Sequence, residues 1–344
     1  METYCGRLCS ELTHRCALTV MALPGRDDGS PPNAIALALF ALRVARRVIA
    51  GGLDWQIVHG GDLATWPLVL LARLRRREAR VFLSAHGTDV AFAFRSGPAA
   101  LLYRAYLYGC RQLLPDCVVL ANSRATEALV GRLGFRETAT IRLGADKCAA
   151  VASDEPEQYV LFAGRLTKRK GCKWFIEQVL PALDSKIHLK VAGTVRESAE
   201  GEALVDPRVE FLGPLRSDQL ASLRRRALAV VVPNIPLGQR GFEGFGLAAV
   251  EGAADGGVVV ASRCDGIEDA VVDGITGFLE EPGEANAWSS RITEIASWTP
   301  ARRSEFLQTA RSVVEREYSW ARVGEETVAA YSQALGAGGS NGGV

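Results

Sequence analysis

Short apolar runs alternate with segments whose apolar residues return every three to four positions along most of the chain. In the first half the runs predict strands at Ala17–Leu23, Gln56–His59, Arg80–Ala85, Cys117–Asn122 and Thr140–Leu143. In the second half they predict strands at Tyr159–Ala163, His188–Ala192, Val209–Leu212, Leu228–Pro233 and Val258–Ser262. Helical periodicity fills the gaps, as in Asn33–Ala50, Leu63–Arg76, Ser123–Leu133, Gly171–Leu183, Ser217–Arg226 and Glu284–Ser297. Strands separated by helices imply parallel sheets joined by right-handed crossovers. Runs such as "YVLFAG" and "LAVVVP" are apolar on both faces, as expected where helices cover both sides of a sheet. The fold class is therefore α/β, with doubly wound sheets.

The segment 144–157 is small, polar and aperiodic, and predicts a domain boundary. The division expected is 1–148 and 149–318, then a closing helix over 319–336 and a flexible tail over 337–344. In such sheets ligands sit beyond the carboxyl ends of the strands, here in a cleft between two domains. A length of 344 residues suits two domains. Residues 1–150 carry 19 Lys and Arg against 12 Asp and Glu, and the remainder 21 against 27, so a basic half precedes an acidic one. That asymmetry predicts two surfaces with different clients.

Several classes are excluded. No apolar run approaches the length of a membrane-spanning helix. The front, "METYCGRLCSELTHR", has no signal-peptide core, so the cell interior is the expected compartment. Eight cysteines without a CxxC pair do not make a disulfide framework. Cys5, Cys9, His14 and Cys16 fit zinc spacing poorly and read as free thiols.

Three stretches carry candidate chemistry. In "FAGRLTKRKG", 162–171, a buried strand ends at Gly164 and is followed by Arg165, a basic loop and a helix start near Gly171. A guanidinium, the Lys170 ammonium and a helix N-terminus together suit a pyrophosphate, while Lys168 and Arg169 read as solvated charges. In "EGFGLAAVE", 243–251, two carboxylates flank the start of an apolar helix. Backbone N–H groups of Phe245, Gly246 and Leu247 would face a phosphate there, and Glu243 and Glu251 could grip hydroxyls of a sugar and a ribose. Glu251, on an otherwise apolar helix, needs a partner. In "SAHGTD", 84–89, His86 follows a buried strand, whereas His59 of "VHGGD" reads as structural.

The second half resembles the donor domain of the retaining glycosyltransferases of family 4, which have the GT-B fold of two Rossmann-like domains facing a cleft. The resemblance runs over about 159–335. It rests on "FAGRLTKRKG", "VAG" at 191–193, "VEFLGPL" at 209–215, "PNIP" at 233–236 and the stretch from Glu243 to Glu284. The Glu pair around "GFGLAAV" is similar to the family's Glu-x7-Glu motif. "SAHGTD" and "IRLGAD" in the first half resemble the family as well.

The resemblance implies a metal-independent hexosyltransferase that uses a nucleotide sugar, UDP- or GDP-hexose, and needs no cofactor. The acceptor would be a saccharide, a lipid-linked sugar or a small molecule. Arg165 and Lys170 would bind the diphosphate. Glu243 would hold sugar hydroxyls, Phe245, Gly246 and Leu247 would contact sugar and phosphate through their backbone, and Glu251 would bind ribose. Leu215 would lie near the base and His86 would support the reacting centre. No Asp-x-Asp pair occurs to hold a metal, so the cations would replace it. Other readings are a non-catalytic nucleotide-sugar-binding partner subunit and a nucleotide-sugar epimerase of the same fold.

The family opens on a strand and a Gly-Gly loop, whereas "ETYCGRLCSEL" resembles the helix that follows them. The expected N-terminal sheet thus lacks its first strand, through a mis-set start or a truncated, impaired chain. Arg43, Arg46 and Arg47 after "IALALFAL", and Arg73, Arg75, Arg76, Arg77 and Arg80 after "WPLVLLA", suggest contact with an anionic membrane, against a reading as solvated helix ends. Nucleic acid is not expected, because aromatic residues do not interleave with these charges.

Overall fold

The computed structural model describes residues 2–23, 33–51, 54–146, 156–238 and 240–339. The chain divides into one unit of Met1–Ile141 with Trp320–Val344, and a second of Arg142–Ser319. The division comes earlier than the expected 148/149. Arg142 to Ala145 are tied to the end of the second unit: Arg142 pairs with Glu317 at 3.0 Å, and the Ala145 N–H donates to the Tyr318 carbonyl at 2.8 Å.

In the first unit four parallel strands, β1 (Ile57–Gly60), β2 (Arg80–Ala85), β3 (Val118–Ala121) and β4 (Glu137–Thr140), lie in that order. Helices Trp66–Arg75, Pro98–Leu113 and Arg124–Arg132 connect them, and Leu63, Val81, Leu83, Leu107, Leu114, Val119 and Val130 form a core with almost no exposure. The opening segment is a helix, Glu2–Thr13, packed against the closing helix Trp320–Gly339. Tyr331 Oη, His59, Ser84 Oγ and Tyr4 Oη are linked in one hydrogen-bonded chain, at 2.6, 2.9 and 3.0 Å. Burial, with a smaller contribution from His86, lowers the His59 pKa to about 4, so His59 is neutral near pH 7. This is the structural role its sequence context suggests.

Three sequence expectations are corrected in this unit. Ala17–Leu23 is not a strand: Leu18, Val20 and Met21 are exposed, and no described strand offers a ladder. The last strand is Glu137–Thr140 rather than Thr140–Leu143. At this edge Thr138 and Thr140 donate their hydroxyls to Glu127, while Ile141 and Leu143 are buried beyond the strand end. The closing helix runs to Gly339, past the expected 336; of the expected tail, residues 340–344 lie outside the described residues.

The second unit has six parallel strands: β5 (Tyr159–Ala163), β6 (His188–Ala192), β7 (Val209–Gly213), β8 (Ala229–Val232), β9 (Val259–Ser262) and β10 (Phe278–Glu280). Their order is β10-β9-β8-β5-β6-β7. The chain winds outward from β5 to β7, then returns beside β5 with β8 and winds the other way, so the topological switch lies between β5 and β8. All residues of β8 and β9, and all but the last of β5, are buried, which is why these runs carry no polar alternation. The core gathers Phe175, Leu189, Val231, Val260, Trp288 and Ile292. Emptying one such position, as in Ile292→Ala, costs about 2–5 kcal/mol.

Among the described residues the cysteines are all free and no metal-holding cluster of His, Cys, Asp and Glu occurs. No helix among them is long and apolar enough to cross a membrane.

Candidate functional site

The site begins where β5 ends. After Gly164 the chain buries Leu166 completely, and Lys168–Lys170 makes one 3-10 turn closed by Gly171 at φ +71°. A Cβ at Gly171 would stand 1.9 Å from the Pro233 carbonyl oxygen, so only glycine allows this turn to press against the chain leaving β8. The Ile235 N–H donates to the Arg169 carbonyl at 2.8 Å and locks the two loops together. The switch point is thereby a single piece of backbone built from both sides.

The helix start near Gly171 differs from expectation. Its Lys173 N–H is taken by the Glu200 carboxylate at 2.9 Å, and Glu197 accepts from the Lys168 N–H at 3.0 Å. Glu200 is buried, and that burial pushes its carboxyl above the ordinary range. A carboxylate of the protein thus accepts from the helix start that was expected to face a pyrophosphate. The helix itself changes after Trp174 into a π turn, Phe175–Val179, and a 3-10 turn, Leu180–Ala182.

Glu243 is the centre of the constellation. Its Oε2 accepts from Lys170 Nζ at 2.7 Å, from Asn234 Nδ2 at 2.8 Å and from the Arg169 guanidinium. Burial alone would favour the neutral acid, but the Lys170 and Arg169 charges and these hydrogen bonds prevail and hold its pKa at about 2. All three contacts fall on one oxygen, which leaves Oε1 as an acceptor. Asn234 is 2% exposed, and its Oδ1 has no hydrogen-bond partner. The Glu243 N–H donates to Asp265 Oδ2 at 3.0 Å, and the Gly266 N–H donates to the Glu243 carbonyl at 3.0 Å.

Helix Leu247–Ala254 follows, with Gly246 at its N-cap in the left-handed region. The first N–H groups of a helix have no partner within it, so this terminus presents donors beside Glu243. Phe245 is buried against Tyr318, with ring centroids 6.3 Å apart, so its backbone rather than its ring is what a ligand could meet. Glu251 does have the partner its helix demands. Arg224, from helix Ser217–Arg226, bonds Glu251 at 2.7 Å and Asp255 at 2.8 Å. The Glu251 side chain is nonetheless 37% exposed, so its buried helix does not bury the carboxylate itself.

Of the other expected residues, Arg165 is exposed and forms no ion pair or hydrogen bond among the described residues. Leu215 is half-buried in the loop that follows β7. His86 belongs to the first unit, after β2. Its Nε2 lies 2.8 Å from the Gly61 carbonyl oxygen and its ring meets Tyr4 edge-on at 4.9 Å. Asp89 accepts from the His86 N–H at 3.0 Å, and Asn122 Nδ2 donates to the His86 carbonyl at 3.3 Å.

The structure therefore joins Lys170 and Glu243, which were expected to serve different parts of a ligand, and adds Arg169, Asn234 and Asp265 around them. The "RK" doublet and "PN" directly after a buried strand were the signals available for the first two. Nothing in "CDG" marks Asp265 in advance.

Comparison with known proteins places these residues in context. Residues 157–297 match the family of glycosyl transferases group 1. An uncharacterized glycosyltransferase of Methanocaldococcus jannaschii is 28% identical over 193 residues, covering 54% of this chain and 47% of the relative. The D-inositol 3-phosphate glycosyltransferase of Mycolicibacterium smegmatis is 34% identical over 131 residues, or 38% of this chain and 28% of the relative. The chain thus spans less than half the length of these curated relatives. Among solved structures, Anabaena HepE in complex with UDP and glucose aligns with a TM-score of 0.67 at 17% identity, covering 88% of this chain and 84% of that one. Sucrose-phosphate synthase from Thermosynechococcus elongatus aligns at 0.68 and 20% identity, covering 92% and 83%. The fold is accordingly of the GT-B class, with two parallel-sheet α/β units.

Proposed function

We propose that the chain is a retaining, metal-independent glycosyltransferase that moves a hexose from UDP or GDP to a saccharide, lipid-linked or small-molecule acceptor. The observation that carries this reading is the grip of Lys170, Arg169 and Asn234 on Glu243 at the β5/β8 switch point, inside the segment that matches group 1 glycosyl transferases. A carboxylate kept ionised there, with one free oxygen, accepts hydroxyls of a sugar.

In the proposed reaction the bond between the anomeric carbon and the diphosphate oxygen breaks, and negative charge gathers on the leaving diphosphate. Arg165, Lys170 and the N–H groups of Phe245, Gly246 and Leu247 stabilise that charge. The acceptor hydroxyl attacks from the face the phosphate leaves, and its proton passes to the departing phosphate oxygen, which gives retention. Glu251 holds the ribose and Leu215 lies beside the base.

The Lys170–Glu243 pair implies an exchange of partners. A diphosphate competes for the two cations, while Asn234 keeps its hydrogen bond to Glu243 as they turn away. HepE, crystallised with UDP and glucose, and with UDP-glucose, supports a UDP-sugar as the first donor to try. The decisive experiment incubates the purified chain with UDP- and GDP-hexoses in chelator and measures released nucleotide and the anomeric configuration of the product.

A peripheral contact with an anionic membrane belongs to the same proposal, with the cytoplasm as the compartment. Helix Ala34–Ala50 exposes Ile35, Leu39, Leu42 and Ile49 together with Arg43, Arg46 and Arg47. Apolar side chains beside cations are what an anionic bilayer surface binds. Co-sedimentation with phosphatidylglycerol vesicles, absent with phosphatidylcholine alone, tests it.

A further inference from the structure

Asp265 is the sole non-glycine residue at positive φ among the described residues, at +48°. A side chain there costs of order 1 kcal/mol or more, and such a cost persists where the surroundings use the conformation. The use is visible. Asp265 Oδ2 accepts the Glu243 N–H at 3.0 Å, while the next residue, Gly266, donates its N–H to the Glu243 carbonyl at 3.0 Å. One dipeptide therefore holds the N–H and the C=O of the residue at the centre of the site.

The neighbouring backbone leaves little room for an alternative. A Cβ on Gly266 would come within 2.1 Å of the Gly244 carbonyl oxygen, so the loop carrying residues 265–266 lies directly on the loop carrying Glu243. Arg169, Lys170 and Asn234 fix the carboxylate end of Glu243, and Asp265 fixes the other end. Without Asp265 the Glu243 N–H would lose its acceptor in a half-buried place, and only the contacts to one carboxylate oxygen and the Gly266 N–H would be left to hold the residue.

We propose that Asp265 is a positioning residue, whose strained backbone is retained so that its carboxylate can clamp the Glu243 amide and aim the Glu243 side chain at a donor sugar. What Glu243 does to a sugar rests on the reading above; how its backbone is held does not. Asp265 touches no reacting atom in this account. Its effect passes entirely through Glu243.

The strain makes the test sharp, because glycine accepts φ +48° without cost and asparagine keeps an oxygen in the same place. In Asp265→Gly, amide hydrogen exchange at Glu243 should quicken by about tenfold or more. The thermal midpoint should stay within about 3 °C of the parent. Asp265→Asn should keep the parent's exchange rate. With a donor that the parent turns over, Asp265→Gly should lower kcat by about tenfold or more while KM changes by less than about threefold. Unchanged exchange at Glu243 in Asp265→Gly would overturn the proposal, as would Asp265→Asn failing as badly as Asp265→Gly. A large fall in midpoint with Asp265→Gly would also overturn it, since it would make Asp265 a folding residue. If the parent turns over no donor, the transferase reading fails, and the exchange measurement still decides how Glu243 is held.

Discussion

Lys170 Nζ lies 2.7 Å from Glu243 Oε2, so the cation expected to meet a phosphate rests on the carboxylate expected to meet a sugar. Removing either partner should act on different steps. Glu243→Gln frees both cations, so binding of UDP or GDP, measured by calorimetry, should hold or tighten while transfer falls by about a hundredfold. Lys170→Ala should weaken nucleoside diphosphate binding by about tenfold, the loss of one charge-assisted contact.

Arg224 separates the two uses of the distal carboxylate. Asp255 continues to pair with Arg224 when Glu251 is neutralised, and the Glu251 side chain is partly exposed. Glu251→Gln should therefore change stability by less than about 1 kcal/mol, yet weaken nucleoside diphosphate binding several-fold if it holds the ribose. Arg224→Ala leaves Asp255 and Glu251 without a cation and should cost about 3 kcal/mol or more in denaturant melts.

Gly171 offers a test of the switch-point geometry. Its replacement by alanine places a Cβ against the Pro233 carbonyl, a collision with backbone that no side-chain rotation relieves. Gly171→Ala should destabilise the chain by more than about 2 kcal/mol and lower nucleotide binding together with stability.

His59 sets a pH dependence in the first unit. Its folded pKa, about 4, lies below its ordinary value of 6.5, so the unfolded chain takes up the proton first as pH falls. Its contribution to stability is complete above pH 6.5 and is lost progressively down to pH 4. Thermal midpoints across that range should fall less steeply for His59→Gln than for the parent, because Gln can share hydrogen bonds with Ser84 and Tyr331 without titrating.

The legible part of the fold was the part buried on both faces. Tyr159–Ala163 was read to the residue, since a continuous apolar run leaves its ends marked by the first Gly or polar position, and Arg80–Ala85 and His188–Ala192 were read to the residue as well, although Ser84 interrupts one and Lys190 the other. Two short edge strands were not, although the edges Ile57–Gly60 and Val209–Gly213 were read to within one residue. Glu137–Thr140 looks polar because Thr138 and Thr140 serve Glu127, and Phe278–Glu280 is too short to show a period. Ala17–Leu23 shows the converse, an apolar run that no described strand pairs.

In the site, Lys170 and Glu243 were legible as charge at a strand end and before a helix. Arg169 was not separable from Lys168 by sequence, because only the 3-10 turn decides which of two adjacent cations faces Glu243. Glu200 escaped notice for a similar reason: it follows a different strand, and only the β5–β6 pairing brings it to the Lys173 N–H.

The most direct test of the central claim is nucleotide release from UDP- and GDP-hexoses by the purified chain in excess chelator, alongside Glu243→Ala. At least one donor should raise the thermal midpoint and yield nucleotide with the parent chain, and Glu243→Ala should keep the shift but lose the yield. A parent chain that no donor stabilises and that releases no nucleotide, or a Glu243→Ala chain as active as the parent, would contradict it.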